Sequence, residues 1–263
     1  SMLSAWFWTA LILTVVVFSL LVKLGFWQWE RGLEKQDIES MLAERAQQPP
    51  TLLSEQDIPT AVSMANVDAA QHEYRAFLGY PILAKLQPEP ILFYLDNQTV
   101  DGKVGYLVYQ LTQDSSGRRI MLELGFAPVM GNRDALPYIS PFTGHVQVTG
   151  RLYQKQPNPL GNALYLETLP MLQEVNASTY KTYRIQNLNL ADMAEWMTQP
   201  LLGWVIQPTD GSTGNVHPWK PISMNSNKHF GYSLQWFSMA AVFAFIMLAV
   251  ARRSFKSSRK EAS

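Results

Sequence analysis

Two apolar segments without a charged residue, one towards each end of the chain, constrain this sequence more than any other feature. The first covers residues 3–22 and the second covers residues 230–251. Each is about long enough to cross a hydrocarbon core of roughly 30 Å as a helix. The sequence therefore predicts two transmembrane helices, which bring the two ends of the region between them to one level of the membrane.

The first apolar segment has one other interpretation, a signal peptide that is cleaved. A signal peptide has a basic stretch before its apolar core, a shorter core, and a cleavage site of small residues after it. Residues 3–22 and their flanks show none of these features, so we favour a retained helix.

Basic residues near the two segments give opposing indications of orientation. Residues 252–260 are densely basic, which favours a cytoplasmic tail. Lys23, Arg31 and Lys35 follow the first segment and favour the opposite arrangement. Because large loops cross membranes largely regardless of their charge, we give the compact tail more weight. We expect both termini in the cytoplasm and the central domain outside.

The net charge and the cysteine content limit the kinds of binding site that this chain can contain. The 263 residues carry a formal net charge of +0, whereas a nucleic-acid-binding surface is usually basic overall or along a stripe. We therefore expect no nucleic-acid partner. The lack of cysteine excludes disulfides and thiolate metal sites, but it leaves the compartment open.

The central region begins as a helix and continues as strands. Residues 24–47 contain no proline and are typical of a helix that leaves the membrane and ends before Pro49 and Pro50. A polar linker is expected from there to about residue 70. Apolar and β-branched runs between turn residues then predict strands. They cover residues 91–95, 104–112, 119–126, 145–153, 164–169, 182–188 and 201–207, and a short helix fits residues 190–197.

The expected fold is a membrane hairpin of two helices that flanks a β-rich α+β domain, built as an antiparallel sheet or a small barrel. The predicted segments are transmembrane helix 1 at 3–22, a helical extension and linker at 23–70, a β-rich extracytoplasmic domain at 71–229, transmembrane helix 2 at 230–251, and a basic cytoplasmic tail at 252–263.

One of the four histidines stands out by its position. His72, His145 and His217 lie in polar, strand-start or loop contexts, where ordinary surface or partly buried histidines are expected. His229 lies at the outer end of the second apolar segment, where an imidazole needs water, a hydrogen-bond partner or a metal. Four residues lie on its side of the helix: Tyr232, Ser233, Gln235 and Trp236. A belt of interfacial anchors explains these residues equally well.

The end of the first segment carries a complementary cluster. Trp27 and Arg31 are four residues apart on one helix face, and Gln28 and Lys35 lie beside them. In a hairpin this cluster lies at the membrane depth of His229. An imidazole, aromatic rings and a guanidinium match the needs of a haem, namely an axial iron ligand, apolar walls and a cation for the propionates. The predicted cofactor site comprises His229 as metal ligand with Tyr232, Trp236, Trp27, Gln28 and Arg31.

Motifs of common enzymes are absent from the sequence. It contains no G-x-S-x-G, no H-E-x-x-H, no phosphate-binding loop and no cysteine nucleophile. Acid pairs such as Asp96 with Asp101, and Asp114 with Glu123, lie near strand ends, where turn and solvent-facing roles are expected. We therefore expect a protein that is not an enzyme, and a periplasmic hydrolase is disfavoured.

Residues at the ends of both segments resemble the surfeit locus protein 1 family, membrane factors for cytochrome c oxidase assembly. The resemblance rests on residues 24–28, Arg31, Lys35, His229, Tyr232 and residues 236–237, and in the middle on residues 74–75, 79, 95–97, 102, 105–106 and 148–150. The family's Asn-Arg-Gly-Trp element is replaced by residues 123–128, which read ELGFAP, and Ser233 and Gln235 stand where Ala and Thr are usual. The chain therefore resembles a divergent bacterial member.

This resemblance implies a role in the maturation of oxidase subunit I, with haem a as a transient cofactor and His229 as its candidate ligand. The expected partners are subunit I, haem a synthase and the lipid bilayer. The expected location is the bacterial inner membrane, with the central domain in the periplasm. A scaffold that stabilises a subunit I intermediate without haem is the main alternative. A sensor is disfavoured, because residues 252–263 leave no room for an output domain.

Overall fold

The chain divides into two compact units. The structure, a computed structural model, describes residues 2–62, 67–129, 131, 136–155, 160–168, 173–175 and 178–261. One unit comprises Ser1–Met41 with Ile222–Ser263, and the other comprises Leu42–Pro221.

Four helices and nine strands form the described part of the chain. The helices are α1 (Met2–Arg45), α2 (Val67–Phe77), α3 (Leu190–Met197) and α4 (Ser226–Glu261). The strands are β1 (Thr51–Leu52), β2 (Pro81–Val100), β3 (Lys103–Asp114), β4 (Arg119–Pro128), β5 (Val146–Tyr153), β6 (Glu167–Thr168), β7 (Gln173–Val175), β8 (Ser178–Ile185) and β9 (Val205–Pro208).

The first unit is a hairpin of two helices. Within α1 and α4, Trp6–Arg45 and Ser226–Arg253 are long and apolar enough to cross a membrane. They contain residues 6–22 of the first uncharged segment and all of the second, so the expected pair of candidate membrane helices is confirmed. α1 continues to Arg45 because no proline interrupts it before Pro49.

Glycines allow the two helices to approach closely. A Cβ atom at Gly25 would lie 2.7 Å from the Phe237 ring, and one at Gly32 would lie 2.5 Å from the Phe230 ring. The buried Ser233 hydroxyl donates a hydrogen bond to the Gly25 carbonyl at 2.8 Å. Small residues at a helix contact let side chains of one helix reach the backbone of the other, and this hairpin packs in that way.

A carboxylate joins the two helices at the start of α4. Glu39 accepts hydrogen bonds from the Ser226 backbone N–H at 2.9 Å and from the Ser226 hydroxyl at 2.6 Å. The first N–H groups of a helix have no partner within the helix, and a negative charge there is favourable. Glu39 thus caps α4 from the neighbouring helix.

In the second unit, a ring of strand pairings builds a small barrel. β2 pairs with β3, β3 with β4, β4 with β9, β9 with β5, and β5 returns to β2. β2 is twenty residues long, so it can pair with two strands and close the ring. It pairs with β5 through Pro81–Leu86 and with β3 mainly from Leu92 onward. β8 pairs with residues 91–95 of β2 and extends the sheet there.

The barrel contains strand pairs of both directions. Its architecture agrees with the predicted α+β class, and most pairs are antiparallel, whereas β1–β2, β2–β8 and β4–β9 are parallel. Parallel neighbours require a long connection rather than a hairpin. The connection between β1 and β2 carries α2, and several other strands separate β2 from β8 and β4 from β9 along the chain.

Several element boundaries also differ from the sequence-based expectation. Residues 190–197 form α3 as predicted, whereas the predicted strands at 182–188 and 201–207 lie at Ser178–Ile185 and Val205–Pro208. The strand predicted at 164–169 is reduced to Glu167–Thr168 within the described residues, and residue 169 lies outside them.

The predicted polar linker contributes to the core of the second unit. Leu53 and Ile58 are only 1% and 4% exposed, and α2 already begins at Val67. α2 packs two aromatic rings against the fully buried Trp204: Tyr74 at 6.1 Å and Phe77 at 5.8 Å between ring centroids. The apolar residues of the linker are isolated in sequence, so they show no periodicity that would indicate burial.

Candidate functional site

The candidate site begins with one contact between the two helices of the hairpin. His229 in α4 lies with its Nδ1 atom 2.8 Å from the Oε1 atom of Gln28 in α1. Because an amide oxygen only accepts hydrogen bonds, Nδ1 carries the proton in this arrangement. The Nε2 atom of the neutral ring then holds the free lone pair. A histidine that ligates a metal is usually held in this way through its other nitrogen.

The hairpin has an aromatic side and a more polar side. On the aromatic side, Trp29 contacts Phe230 at 5.0 Å and Phe26 contacts Phe237 at 5.1 Å between ring centroids. The other side is formed by two stripes of residues at helical spacing, which are Gln28, Arg31 and Lys35 in α1 and His229, Tyr232 and Trp236 in α4. The Gln28–His229 contact joins these two stripes.

Only part of the predicted cofactor site is in mutual contact. Gln28 contacts His229, whereas Arg31 is exposed and pairs with Glu34 of its own helix at 2.7 Å. Trp27 and Tyr232 are 48% and 45% exposed, and Trp236 is half-buried. Within the described part of the chain, none of Trp27, Arg31, Tyr232 and Trp236 forms a hydrogen bond or ion pair with His229.

The remaining histidines and carboxylates of the described residues form no grouped metal site. In that part of the chain, no three His, Asp or Glu side chains come together in a group that could hold a metal ion. His72 and His145 are both exposed, as expected for ordinary histidines. His229, by contrast, is partly buried and lies in contact with Gln28.

A second cluster of polar residues lies inside the β-rich unit, and the sequence did not indicate it. Glu123 in β4 is fully buried; its Oε1 atom lies 2.9 Å from His217 Nδ1 and accepts a hydrogen bond from Gln207 Nε2 at 3.2 Å. The predicted solvent-facing role of Glu123 is therefore wrong. Asp114 does form a turn, since it accepts hydrogen bonds from the Ser116 and Arg118 backbone N–H groups, but its side chain is only 1% exposed.

His217 attaches the segment after β9 to the barrel. Its Nε2 atom lies 2.6 Å from the Thr213 hydroxyl, which also accepts the Asn215 backbone N–H at 3.3 Å. Hydroxyl, imidazole and carboxylate follow one another in the order of a hydrolase triad. The His217 side chain is only 11% exposed, and Asn215 also donates to the Leu124 carbonyl at 2.9 Å. The arrangement fastens the segment to β4.

Burial around Glu123 shifts the pKa values of neighbouring side chains. Burial raises the pKa of Tyr109, and Glu123 and Tyr153 raise it further. Burial also lowers the pKa of Arg151 to about 10, although Glu123 opposes this change. The Arg151 guanidinium lies 3.5 Å above the Trp219 ring and donates twice to Gln207 Oε1, at 2.7 and 3.0 Å. One carboxylate is therefore shared among several donors and cations.

Comparison with known proteins identifies the family. The model of the SURF1 family matches residues 15–241, which include Gln28, His229, Tyr232 and Trp236. The chain belongs to the SURF1 family. No curated protein matches the chain significantly. SURF1 proteins are assembly factors for cytochrome oxidase, so the two candidate membrane helices and the barrel belong to a membrane-associated assembly factor.

Proposed function

We propose that this SURF1 protein holds haem a at the outer face of the bacterial inner membrane and assists its insertion into oxidase subunit I. The Gln28–His229 contact is the observation that carries the proposal. It fixes the imidazole through Nδ1 and leaves Nε2 for the iron of the cargo. The contact joins two candidate membrane helices, which supports a site within reach of a membrane-borne haem.

The side chains near the Gln28–His229 contact offer what a haem site needs, namely aromatic surface and a cation. Tyr232 and Trp236 follow His229 on one stripe of α4 and offer aromatic surface to the macrocycle. Arg31 lies on the neighbouring stripe of α1 and would meet a propionate by exchanging its exposed ion pair with Glu34. An exposed ion pair contributes only about 0–1 kcal/mol, so this exchange costs little.

The orientation expected from the basic tail supports this direction of transfer. With both termini in the cytoplasm, His229 at the start of the second apolar segment lies at the periplasmic level of the membrane. Haem a synthase would supply the haem there, and subunit I would receive it. The protein then binds and releases its cargo without a chemical step of its own.

A redox difference spectrum tests the proposal. The full chain is expressed in a host that makes haem a, purified in mild detergent, and compared with its His229→Ala and Gln28→Leu variants. We expect a haem a band in the wild type, its loss in His229→Ala, and a band about tenfold weaker in Gln28→Leu, the size of effect typical of a lost second-shell partner. His72→Ala, which removes an exposed histidine, is the matched control.

The main alternative is a scaffold that stabilises a subunit I intermediate without haem. The same Gln28–His229 contact favours it, because a hydrogen bond between two membrane helices also holds them together. Unchanged haem content in folded His229→Ala would refute His229 as the ligand. Haem absent from every variant, with subunit I still co-purifying, would favour the scaffold. A thermal melt of each variant shows whether it is folded.

A further inference from the structure

The helical hairpin contains an apolar groove that opens on the outer surface of the two candidate membrane helices. Its volume is about 480 Å³, which falls within the range of roughly 300–1,000 Å³ that is typical of ligand sites. Along α4 it extends from Gln235 to Ile246, which corresponds to about 16 Å of helix. We call it the α4 groove, and its apolar lining consists of Leu21, Met239, Val242, Phe243 and Ile246.

The α4 groove continues the surface that carries the Gln28–His229 contact. Three of its residues each lie seven positions from a residue of the predicted haem site, and the pairs are Leu21 with Gln28, Met239 with Tyr232, and Phe243 with Trp236. Seven residues are about two helical turns, so the members of a pair share a helix face and lie about 10 Å apart. Because the two helices are antiparallel, both lead from the predicted haem site into the groove, towards the middle of the apolar segments.

Two polar side chains, Gln235 and Ser238, line the end of the groove that is nearer to His229. Both are exposed, both lie inside the second apolar segment, and neither has a hydrogen-bond partner within the described residues. The interior of a membrane offers no water, so an amide without a partner is costly there, and such residues usually mark a function. The occupant of this groove should therefore be apolar along its length and should carry a hydroxyl or carbonyl group at one end.

The tail of haem a has this chemistry. In haem a and haem o, a farnesyl chain is joined to the macrocycle through a carbon that carries a hydroxyl group, whereas haem b has a vinyl group at that position. An extended farnesyl chain is about as long as the groove. Gln235 follows His229 by six residues, which is less than two helical turns. The polar end of the groove is therefore the end at which a tail would leave a macrocycle held by His229.

We propose that the α4 groove holds the hydroxyl-bearing farnesyl tail of the haem and thereby selects haem a and haem o over haem b. Gln235 and Ser238 bond to the tail hydroxyl, and the apolar side chains pack along the chain. The inference rests on the proposed binding of haem by His229. It supplies a basis for selectivity, because the same imidazole can ligate the iron of each of the three haems.

Titrations with haem b and haem o test the groove separately from the iron ligand. The full chain is reconstituted without haem in phosphatidylcholine nanodiscs, and binding is followed by the Soret band. Empty nanodiscs give the partition of each haem into lipid. We expect the wild type to bind haem o about tenfold more tightly than haem b, which is the size of effect that a hydrogen bond and packing supply inside a membrane.

Variants of the groove should remove this preference. Val242→Trp fills the groove and should lower the affinity for haem o to that for haem b. Gln235→Leu removes the amide and should reduce the preference about threefold or more. Leu234→Trp is the matched control, because Leu234 is 69% exposed and does not line the groove, and it should bind both haems like the wild type.

The outcomes separate the groove from the haem site. Equal affinities for the two haems, with both lost in folded His229→Ala, would refute the groove and leave the proposed function intact. Binding of neither haem, or binding that persists in His229→Ala, would refute the proposed haem site and the groove with it. A preference for haem o that persists in Val242→Trp would overturn the groove alone. Equal haem affinities, with a phospholipid that co-purifies with the wild type and is lost in Val242→Trp, would assign the groove to lipid chains.

Discussion

At the scale of single residues, the polar interior of the barrel has the largest consequences for stability. Tyr109 in β3 lies directly opposite Glu123 in β4, and both are fully buried. Within the described part of the chain, neither the Tyr109 hydroxyl nor Glu123 Oε2 has a hydrogen-bond partner. A buried polar group without a partner loses hydration and gains nothing in return. Tyr109 is therefore a residue whose hydroxyl can be removed without cost.

We expect Tyr109→Phe to leave the free energy of unfolding at pH 7 unchanged or to raise it by up to about 1 kcal/mol. The pKa of Tyr109 is raised in the folded protein, so stability from this group is present below the unfolded pKa of about 10 and is lost as the pH rises above it. The variant should therefore lose stability less steeply above pH 10. Denaturant titrations between pH 7 and 11 measure both effects.

The comparison isolates Tyr109 from its neighbours. Arg151 has a lowered pKa and acts in the opposite direction, because the folded state sheds its proton first, but it is present in both proteins. Tyr138→Phe, at a position that is 64% exposed, should leave the alkaline limb unchanged. A Tyr109→Phe protein that loses several kcal/mol at pH 7 would mean that its hydroxyl has a partner after all.

Sequence patterns identified some of these residues and missed others for a physical reason. His229 was singled out because an imidazole at a membrane helix end needs a partner, and the structure gives it Gln28. The sequence predicts a solvent-facing Glu123, because this residue lies near the end of a predicted strand. β4 is buried along nearly its whole length, so its sequence contains no alternation that marks Glu123 as buried.

At the scale of elements, packing in the hairpin depends on two glycines. Gly25 and Gly32 lie against the rings of Phe237 and Phe230, where a Cβ atom would collide with the ring unless the ring or the helix shifts. The periodic apolar pattern predicted both helices, but it does not identify which glycines meet the partner helix. Prediction of the barrel has the same limit. Local sequence patterns predict the strands β3 and β4, but the parallel pairs β2–β8 and β4–β9 form between strands that are far apart in the sequence.

We expect Gly32→Ala to destabilise the hairpin by about 1–3 kcal/mol, the usual cost of overpacking. Gly231→Ala is a matched control in α4, since a Cβ atom there meets nothing within 4 Å. The chain has no cysteine, so Glu39→Cys combined with Ser226→Cys reports helix contact by disulfide formation. The rate of cross-linking should fall in Gly32→Ala and not in Gly231→Ala. Equal rates in both would show that the helices do not pack through Gly32.

At the scale of the whole molecule, the two apolar segments and the turn-punctuated middle predict the α+β class with two membrane helices correctly. The matched range of the SURF1 family includes the whole second unit and residues 15–41 and 222–241 of the first. Orientation stays a prediction, because hydropathy is the same in either direction and only the basic residues distinguish the two faces of the membrane.

Labelling of single cysteines tests the orientation. In spheroplasts, Lys103→Cys at the exposed β2–β3 turn should react with a membrane-impermeant maleimide, because we place the barrel in the periplasm. Ser258→Cys in the basic tail should react only after the membrane is permeabilised. The wild type, which has no cysteine, gives the background. The reverse pattern would place the barrel in the cytoplasm and would place His229 at the inner face.

Closure of the strand ring has a consequence for a protein confined to a membrane. Exposed strand edges are templates for pairing between chains, and confinement to two dimensions raises the frequency of such encounters. In the described part of this chain the strands of the ring, β2, β3, β4, β5 and β9, pair on both sides, and the outer strands β1, β6 and β7 are only two or three residues long. The barrel can therefore be crowded at the membrane surface with little tendency to form intermolecular sheets.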